Sequence, residues 1–331
     1  MSFLYQSSSH ISSLIVIIFA FVLDLFFGDP EYRFHPVRLI GRLIELSYKW
    51  ANKLPLSKKI CGVFIVIVVL TISLSSYFSI CIILNRLKLL LDIFLSYSFI
   101  ALRDMIDHIN PIVDALKKEK ISQARIYLSK VVGRDTERLD KEGIIRASVE
   151  TIAEGFVDGF LSPLFWFFVG TPTGFPVAFM LGYKAVNTLD SMLGYKSEQL
   201  KEIGWASAKL DDFANFVPAR ISIVFLLIGA FICRLDFKKG LYIALRDRLK
   251  HSSPNSGHPE AFFAGALGIR LGGPTYYFYG LVNKPWIGDE VKKTEVSDIL
   301  KALQLVKAAS FCCMSFPLII LLISFFYPYC A

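Results

Sequence analysis

Charge is scarce in this sequence, and unevenly placed. Asp, Glu, Lys and Arg make up 19% of the 331 residues, against about a quarter in soluble domains. Neither end carries a basic residue, since all 36 Lys and Arg lie between Arg33 and Lys307. Cysteine is also sparse. Cys61, Cys81, Cys233, Cys312, Cys313 and Cys330 form no CxxC pair and most sit in or beside apolar runs, where a thiol behaves as a small hydrophobe. With only five histidines, this argues against a disulfide framework and a zinc site. There is no GxxxxGK[ST] loop and no GxGxxG after a strand, so neither common nucleotide fingerprint is present. No internal repeat or low-complexity linker interrupts the chain.

Apolar residues are abundant, at 54% of the chain with 14% aromatic, and the mean hydropathy is +0.52. Such a composition excludes intrinsic disorder and a collagen-like chain and argues against an ordinary soluble enzyme. The net charge of +8 is confined to the middle of the chain. That suits loops facing the cytoplasm and an anionic lipid surface better than the continuous basic stripe of a nucleic-acid binder. Membrane lipids are expected partners and nucleic acid is not.

The apolar runs predict an all-α, polytopic integral membrane protein: one domain over 1–331, with amphipathic helices and polar loops that carry the motifs. Spans are expected near 11–27, 60–84, 160–182, 217–233 and 311–327, by the length a bilayer requires. Residues 87–102 suit a short return span or a helix lying on the membrane. The first run has no basic stretch before it and no small-residue cleavage site after it, so it reads as a retained helix and not a signal peptide. Asp24 falls near its end. Pro163, Gly170, Pro172, Gly174 and Pro176 break the run at 155–182, which fits a hairpin, a re-entrant loop or a kinked span. Ile106, Ile109, Val113 and Leu116 recur at helical spacing, the stripe of a packing helix.

Polar residues gather in four stretches. Residues 28–45 hold Asp29, His35 and Arg38 behind a Gly-Asp-Pro turn. Residues 132–166 hold Arg134, Asp135, Arg138, Arg146, Glu150, Glu154 and Asp158. Arg146, Glu150 and Glu154 share one helical face, which serves either chemistry or a supporting Arg–Glu ladder. Residues 182–220 hold Lys184, Asn187, Thr188, Asp190, Ser191 and Lys196, then Asp211, Asp212, Asn215 and Arg220. Asp and Asn oxygens suit Mg²⁺, and Lys and Arg suit phosphates; a solvated loop with ordinary caps is the plainer alternative. Residues 246–280 hold Lys250, His251, Ser252, Ser253, Asn255 and Ser256, followed by Gly265–Gly268 and Gly272–Gly273. Exposed N–H groups there can bind anions, although tight turns explain the glycines equally well. His251 is either a base or a structural histidine.

Taken in order, LDLFFGDP, HPVRLIG, VGRDT, RASVETIAE, VDG, SPLFW, YKAVNTLDSMLGYK, GWASAKLDDFAN, PAR, HSSPNSG, PEA, AGALG and RLGGP resemble the adenosylcobinamide-phosphate synthase family, CobD/CbiB, of cobalamin biosynthesis. The likeness covers roughly residues 20–290. It departs from the family pattern at Gly155, where Asn is common, at Lys209, where Arg is usual, and at His258, where Trp is common. The resemblance implies an ATP-dependent ligase. It would join the carboxyl group of adenosylcobyric acid, a corrinoid, to the amine of (R)-1-amino-2-propanol O-2-phosphate or a related amino alcohol phosphate, giving adenosylcobinamide phosphate. ATP and Mg²⁺ would be required. The protein would sit in the cell membrane with its site facing the cytoplasm and pass product to later enzymes of nucleotide-loop assembly.

On that resemblance, residue types suggest roles. Asp190, Asp211 and Asp212 would handle Mg²⁺ and phosphate, with Asp190 also catalytic. Arg134, Lys184, Asn187, Lys196, Arg220 and Lys250 would bind phosphate or substrate. Glu150 would be the base, with Asp158 and His251 as further catalytic groups. Ser252, Ser253 and Asn255 would hold phosphate or oxyanion oxygens. A transporter, which Asp24 and the broken run at 155–182 would fit, and a non-catalytic scaffold for corrinoids are the alternatives.

Overall fold

The computed structural model describes residues 2–29, 32–194, 200–278 and 280–326. In chain order the helices begin with α1 (Ser2–Phe27), α2 (Pro36–Ala51), α3 (Lys58–Ile83) and α4 (Lys88–Phe99). Next come α5 (Leu102–Lys117), α6 (Ile121–Leu128), α7 (Lys141–Gly155), α8 (Ser162–Gly170) and α9 (Pro176–Leu193). The rest are α10 (Trp205–Ala214), α11 (Phe216–Ile232), α12 (Phe237–Asp247), α13 (Gly257–Leu267) and α14 (Val296–Phe326). Between α13 and α14 lie β1 (Leu271–Gly272), β2 (Thr275–Tyr277), β3 (Gly280–Val282) and β4 (Trp286–Ile287). β1 pairs with β4 and β2 with β3, both antiparallel. These ribbons were not foreseen, because strands of two or three residues leave no alternation to read.

Local chemistry starts and stops the helices. Ser57, Asp140 and Asp236 cap α3, α7 and α12, each accepting the backbone N–H three residues on, which satisfies donors the first turn leaves open. The stripe Ile106, Ile109, Val113 and Leu116 is the buried face of α5, as its spacing predicts. The expected span at 160–182 is not one helix. A π-helical turn, Phe156–Leu161, leads into α8, and a 3-10 turn at Thr171–Thr173 ends it. Gly174 then takes the left-handed conformation at φ 80, and Pro176 opens α9 at its first position, where its missing N–H costs nothing. α8 and α9 pack on each other, so this segment is a helical hairpin.

The chain forms two compact units. The first comprises Met1–Ala101, Ser162–Ala214 and Ser315–Ala331; the second comprises Leu102–Leu161 and Asn215–Met314. In the first unit α9 is the hub, packed by α2, α3, α4, α8 and α10. α4 is only 12 residues long, and its buried Asp92 receives Tyr77 Oη at 2.9 Å and Lys88 Nζ at 2.5 Å. In the second unit α13 is the hub, packed by α7, α11 and α12 and by β1 and β4. All eleven of its residues are buried.

The protein is an all-α polytopic membrane protein. Lys58–Ile83, Lys141–Thr173 and Val296–Ile323 are long and apolar enough to cross a bilayer, and Trp205–Ile232, broken at Asn215, makes a fourth if counted as one span. The most apolar window of Lys58–Ile83 is only 33% buried by protein. Its Ile60, Val63, Phe64, Ile67 and Ile72 are exposed, as side chains facing lipid would be. The described part of the first run, Ile11–Phe27, is a shorter apolar helix.

Candidate active site

In the second unit, four of the sequence motifs converge on one group of charges. Arg134, ahead of α7, places Nη2 2.7 Å from Glu150 Oε2, and the Gly272 N–H of β1 donates to Glu150 Oε1 at 2.7 Å. Both oxygens of this buried carboxylate are therefore engaged. Burial alone would lower the Arg134 guanidinium from its ordinary range, but Glu150 outweighs it and holds the group above that range. One turn along α7, Glu154 Oε1 accepts Ser256 Oγ at 3.4 Å. Arg146 turns elsewhere, 3.8 Å from Glu142 and over the Trp286 ring. The three residues that share a helical face in sequence are thus no Arg–Glu ladder; Glu150 takes its cation from outside the helix.

The HSSPNSG loop closes beside these carboxylates. The Ser253 N–H donates to His251 Nδ1 at 3.0 Å, which in the neutral ring leaves the proton on Nε2. That Nε2 lies 3.7 Å from Glu260 Oε1. The Asn255 and Ser256 N–H groups both donate to Ser253 Oγ, at 3.2 and 3.3 Å. Arg220 Nη1 reaches Asn255 Oδ1 at 3.4 Å and its guanidinium lies over the Phe216 ring. Gly257 is required sterically, since a Cβ there would meet the Arg248 carbonyl oxygen at 2.1 Å.

Ser252 is exposed and Asp158 is half-buried in the π-helical turn. Lys250 is an ion-pair partner of the fully buried Asp247 at 2.8 Å, which also holds Arg246 and the Gly288 N–H at 2.8 Å. Burial would raise the Asp247 carboxyl, but the bonds from Arg246, Lys250 and Gly288 hold it well below the ordinary range. Buried His258 is pushed down to about 4 by desolvation and by Arg220 and Arg248, so its ring is neutral and packs as a largely apolar body.

In the first unit, α9 carries Lys184, Asn187, Thr188 and Asp190, and α10 carries Lys209, Asp211 and Asp212. Asn187 Nδ2 donates to Asp211 Oδ1 at 3.3 Å, and Asp212 lies 3.6 Å from Lys209. Thr188 bonds back to the Lys184 carbonyl at 2.7 Å. A Cβ on Gly194 would meet Asp190 Oδ1 at 2.0 Å, and one on Gly204 would meet the Leu193 carbonyl oxygen at 1.9 Å. The motif glycines thus let the end of α9 fold tightly beside Asp190. Lys196 lies outside the described residues. In the loop after α1, Asp29 Oδ1 lies 2.8 Å from His35 Nε2; Arg38 is exposed.

Among the described residues, no three of His, Cys, Asp and Glu are gathered to hold a metal by themselves. Mg²⁺ commonly takes one or two carboxylates and completes its shell with phosphate oxygens and water. Asp190 of α9 and Asp211 and Asp212 of α10 are carboxylates of the kind that mode uses.

Sequence reading missed Glu260 and Lys284. The signal for Glu260 was available: it is the one acid in the apolar run GHPEAFFAGAL. Lys284, which donates to Tyr277 Oη at 2.5 Å, lies in a loop with no pattern to single it out.

A family model described as CobD/CbiB protein matches residues 17–306. The cobalamin biosynthesis protein CobD of Clostridium perfringens is 45% identical, over 93% of this chain and 98% of that protein. The protein of the same name from Photorhabdus laumondii is 43% identical, over 88% of this chain and 92% of its own. The cobalamin biosynthesis protein CbiB of Salmonella typhimurium is 42% identical over the same shares, 88% and 92%. No solved structure matches the chain.

Proposed function

The chain belongs to the CobD/CbiB family of cobalamin biosynthesis, and from that premise we propose that, as its adenosylcobinamide-phosphate synthase, it closes an amide bond at the expense of ATP. The carboxyl group of adenosylcobyric acid is joined to the amine of (R)-1-amino-2-propanol O-2-phosphate or a related amino alcohol phosphate. One observation carries this reading. Arg134 of VGRDT, Glu150 and Glu154 of RASVETIAE, Glu260 of the HSSPNSG–PEA segment and Gly272 of RLGGP, far apart in sequence, share one polar cluster.

A carboxylate is a poor acyl donor at neutral pH. ATP, held with Mg²⁺ offsetting its charge, would supply the phosphoryl group that turns the carboxyl into an acyl phosphate with ADP leaving, and inorganic phosphate would leave as the amine adds. The protein's own groups do the rest. Lys184, Asn187, Asp190, Asp211 and Asp212 would hold the metal-bearing phosphates. Arg220, Ser253 and Asn255 bind the phosphate of the amino alcohol. Glu150, with both oxygens engaged, orients Arg134 toward developing negative charge. Glu154, exposed and held at one oxygen, accepts the ammonium proton before the amine attacks. The site faces the cytoplasm, and membrane anchoring keeps a bulky corrinoid close to the enzymes that consume the product.

Detergent-purified protein given adenosylcobyric acid, aminopropanol phosphate and Mg-ATP should yield the amide, seen by mass spectrometry, in an ATP-dependent manner. No product with either aminopropanol phosphate or ethanolamine phosphate overturns the reading. Bound corrinoid without turnover would then point to a scaffold, and uptake of labelled corrinoid into vesicles to a transporter.

A further inference from the structure

Glu260 differs from every other acid in the cluster. It is 4% exposed. Among the described residues its carboxyl has no hydrogen bond, and the nearest ring nitrogen, His251 Nε2, is 3.7 Å away, beyond hydrogen-bond reach. A buried carboxyl without a donor is costly, and native proteins rarely leave one so. Its neighbours are already committed: Glu150 to Arg134 and the Gly272 N–H, Glu154 to Ser256, Lys284 to Tyr277.

The charges acting on Glu260 come from several elements. They are Glu150 and Glu154 of α7, Arg134 ahead of α7, Lys284 after β3, and His251 ahead of α13. The neighbouring helices carry charges engaged elsewhere: Asp247 of α12 is tied to Arg246 and Lys250, and Arg220 of α11 reaches Asn255. Of the charges that act directly on Glu260, two carboxylates, Glu150 and Glu154, face two lasting cations, Arg134 and Lys284. With Glu260 protonated the set balances; with Glu260 ionised, one negative charge has no counterpart. Burial, then Glu150 and Glu154, push the Glu260 carboxyl well above the ordinary range, with Arg134 and Lys284 offsetting this in part.

We propose that this cluster is the seat of the primary ammonium group of the amine substrate, with Glu260 its principal ligand. The inference rests on the amide-ligase reading and says where in that reaction the amine sits. An ammonium brings N–H donors and one positive charge, which a bare carboxyl and an unbalanced negative charge require. As the cation enters, the proton on Glu260 leaves for solvent, so charge is conserved. The substrate's phosphate lies a short carbon chain from its nitrogen. The loop that would take it borders the seat, with His251 beside Glu260, Ser256 on Glu154 and Arg220 on Asn255.

The test is titration calorimetry on the full-length protein in detergent. Ethanolamine phosphate is compared with 2-hydroxyethyl phosphate, in two buffers of different ionisation enthalpy. Ethanolamine phosphate should bind about tenfold tighter or better and release close to one proton per site, while the hydroxyl analogue releases none. Glu260→Gln should abolish the release and bring the two affinities within about threefold. Lys284→Gln, a loop substitution that leaves the helices intact, should tighten ethanolamine phosphate. Equal affinities in the wild type, proton release that survives Glu260→Gln, or weaker amine binding in Lys284→Gln overturns the seat. If such a protein still forms the amide product, the seat alone falls. If it binds neither phosphate and makes no product, the synthase reading falls with it.

Discussion

The two units carry polar groups of opposite character. In the second, charges are buried and compensated within the protein: Glu150 holds an arginine and a backbone N–H, both at 2.7 Å, and Asp247 holds three partners at 2.8 Å. In the first, Asn187 of α9 donates to Asp211 of α10 at 3.3 Å and Asp212 lies 3.6 Å from Lys209, on side chains that are half-buried or exposed. Tight, buried compensation fixes donors in advance and suits charge that develops during a reaction. Carboxylates and amides on partly exposed helix faces suit a ligand that arrives with its own charge, such as a metal-bearing polyphosphate. The difference teaches that damage to the two groups should look different: lost turnover alone in the first, lost turnover with lost stability in the second.

The largest effect should come from the first unit. Asp190→Asn keeps the shape of the side chain beside Gly194 and removes its charge. Turnover should fall by about a thousandfold or more, the scale of lost electrostatic stabilisation, while the thermal midpoint and membrane insertion hold. Full activity would end the metal-and-phosphate role. A midpoint that drops sharply would erase the contrast between the units.

Next in size is Glu150→Gln. The amide cannot balance Arg134, whose side chain is 17% exposed, so a buried cation is left without its counterion. Activity should fall by about a hundredfold, and here the thermal midpoint should fall with it. Arg134→Lys should reproduce part of both losses, because an ammonium lacks the planar fork of the guanidinium. An active, fully stable Glu150→Gln would mean that the buried pair does no more than a surface bridge.

How much of this was legible in the sequence follows from where the information lies. The stripe of α5 and the apolar run of α3 were readable because period and length are local. The shared face of Arg146, Glu150 and Glu154 was readable too, but their partners were not. Arg134 reaches Glu150 across a loop, and Gly272 reaches it from a strand too short to show alternation. Asn187 and Asp211 were both singled out, and only the packing of α10 on α9 shows that they meet. Glu260 lies in an apolar run where an acid is the costly exception, yet only the fold shows which charges surround it. Motif order pointed to the family; it did not divide the motif residues between two units.

A smaller effect tests the second unit alone. The folded protein keeps a proton on Glu260 over a range where the unfolded chain has lost it, because the Glu260 carboxyl stands well above the ordinary range. Stability should therefore fall as pH rises from the ordinary glutamate range toward the raised value, by up to about 1.4 kcal/mol per pH unit. Glu260→Gln should flatten that slope. Thermal midpoints of the two proteins across this window measure it. Parallel curves would show that Glu260 ionises as an exposed acid does, and would remove the buried-charge side of the contrast.

The smallest effect is expected where the sequence departs from its family, at Lys209. The side chain is exposed and lies 3.6 Å from Asp212, a surface pair of the kind worth about 0–1 kcal/mol. Lys209→Arg restores the family's residue and adds a guanidinium fork that can grip a carboxylate or a phosphate with two parallel bonds. If the α9–α10 face is an open ligand surface, the gain belongs to the ligand and not to the fold: KM for ATP should shift by less than about fivefold, with the thermal midpoint unmoved. A rise in the midpoint with KM unchanged would instead make Lys209 and Asp212 a structural pair, and would place the first unit's polar face nearer in kind to the second's.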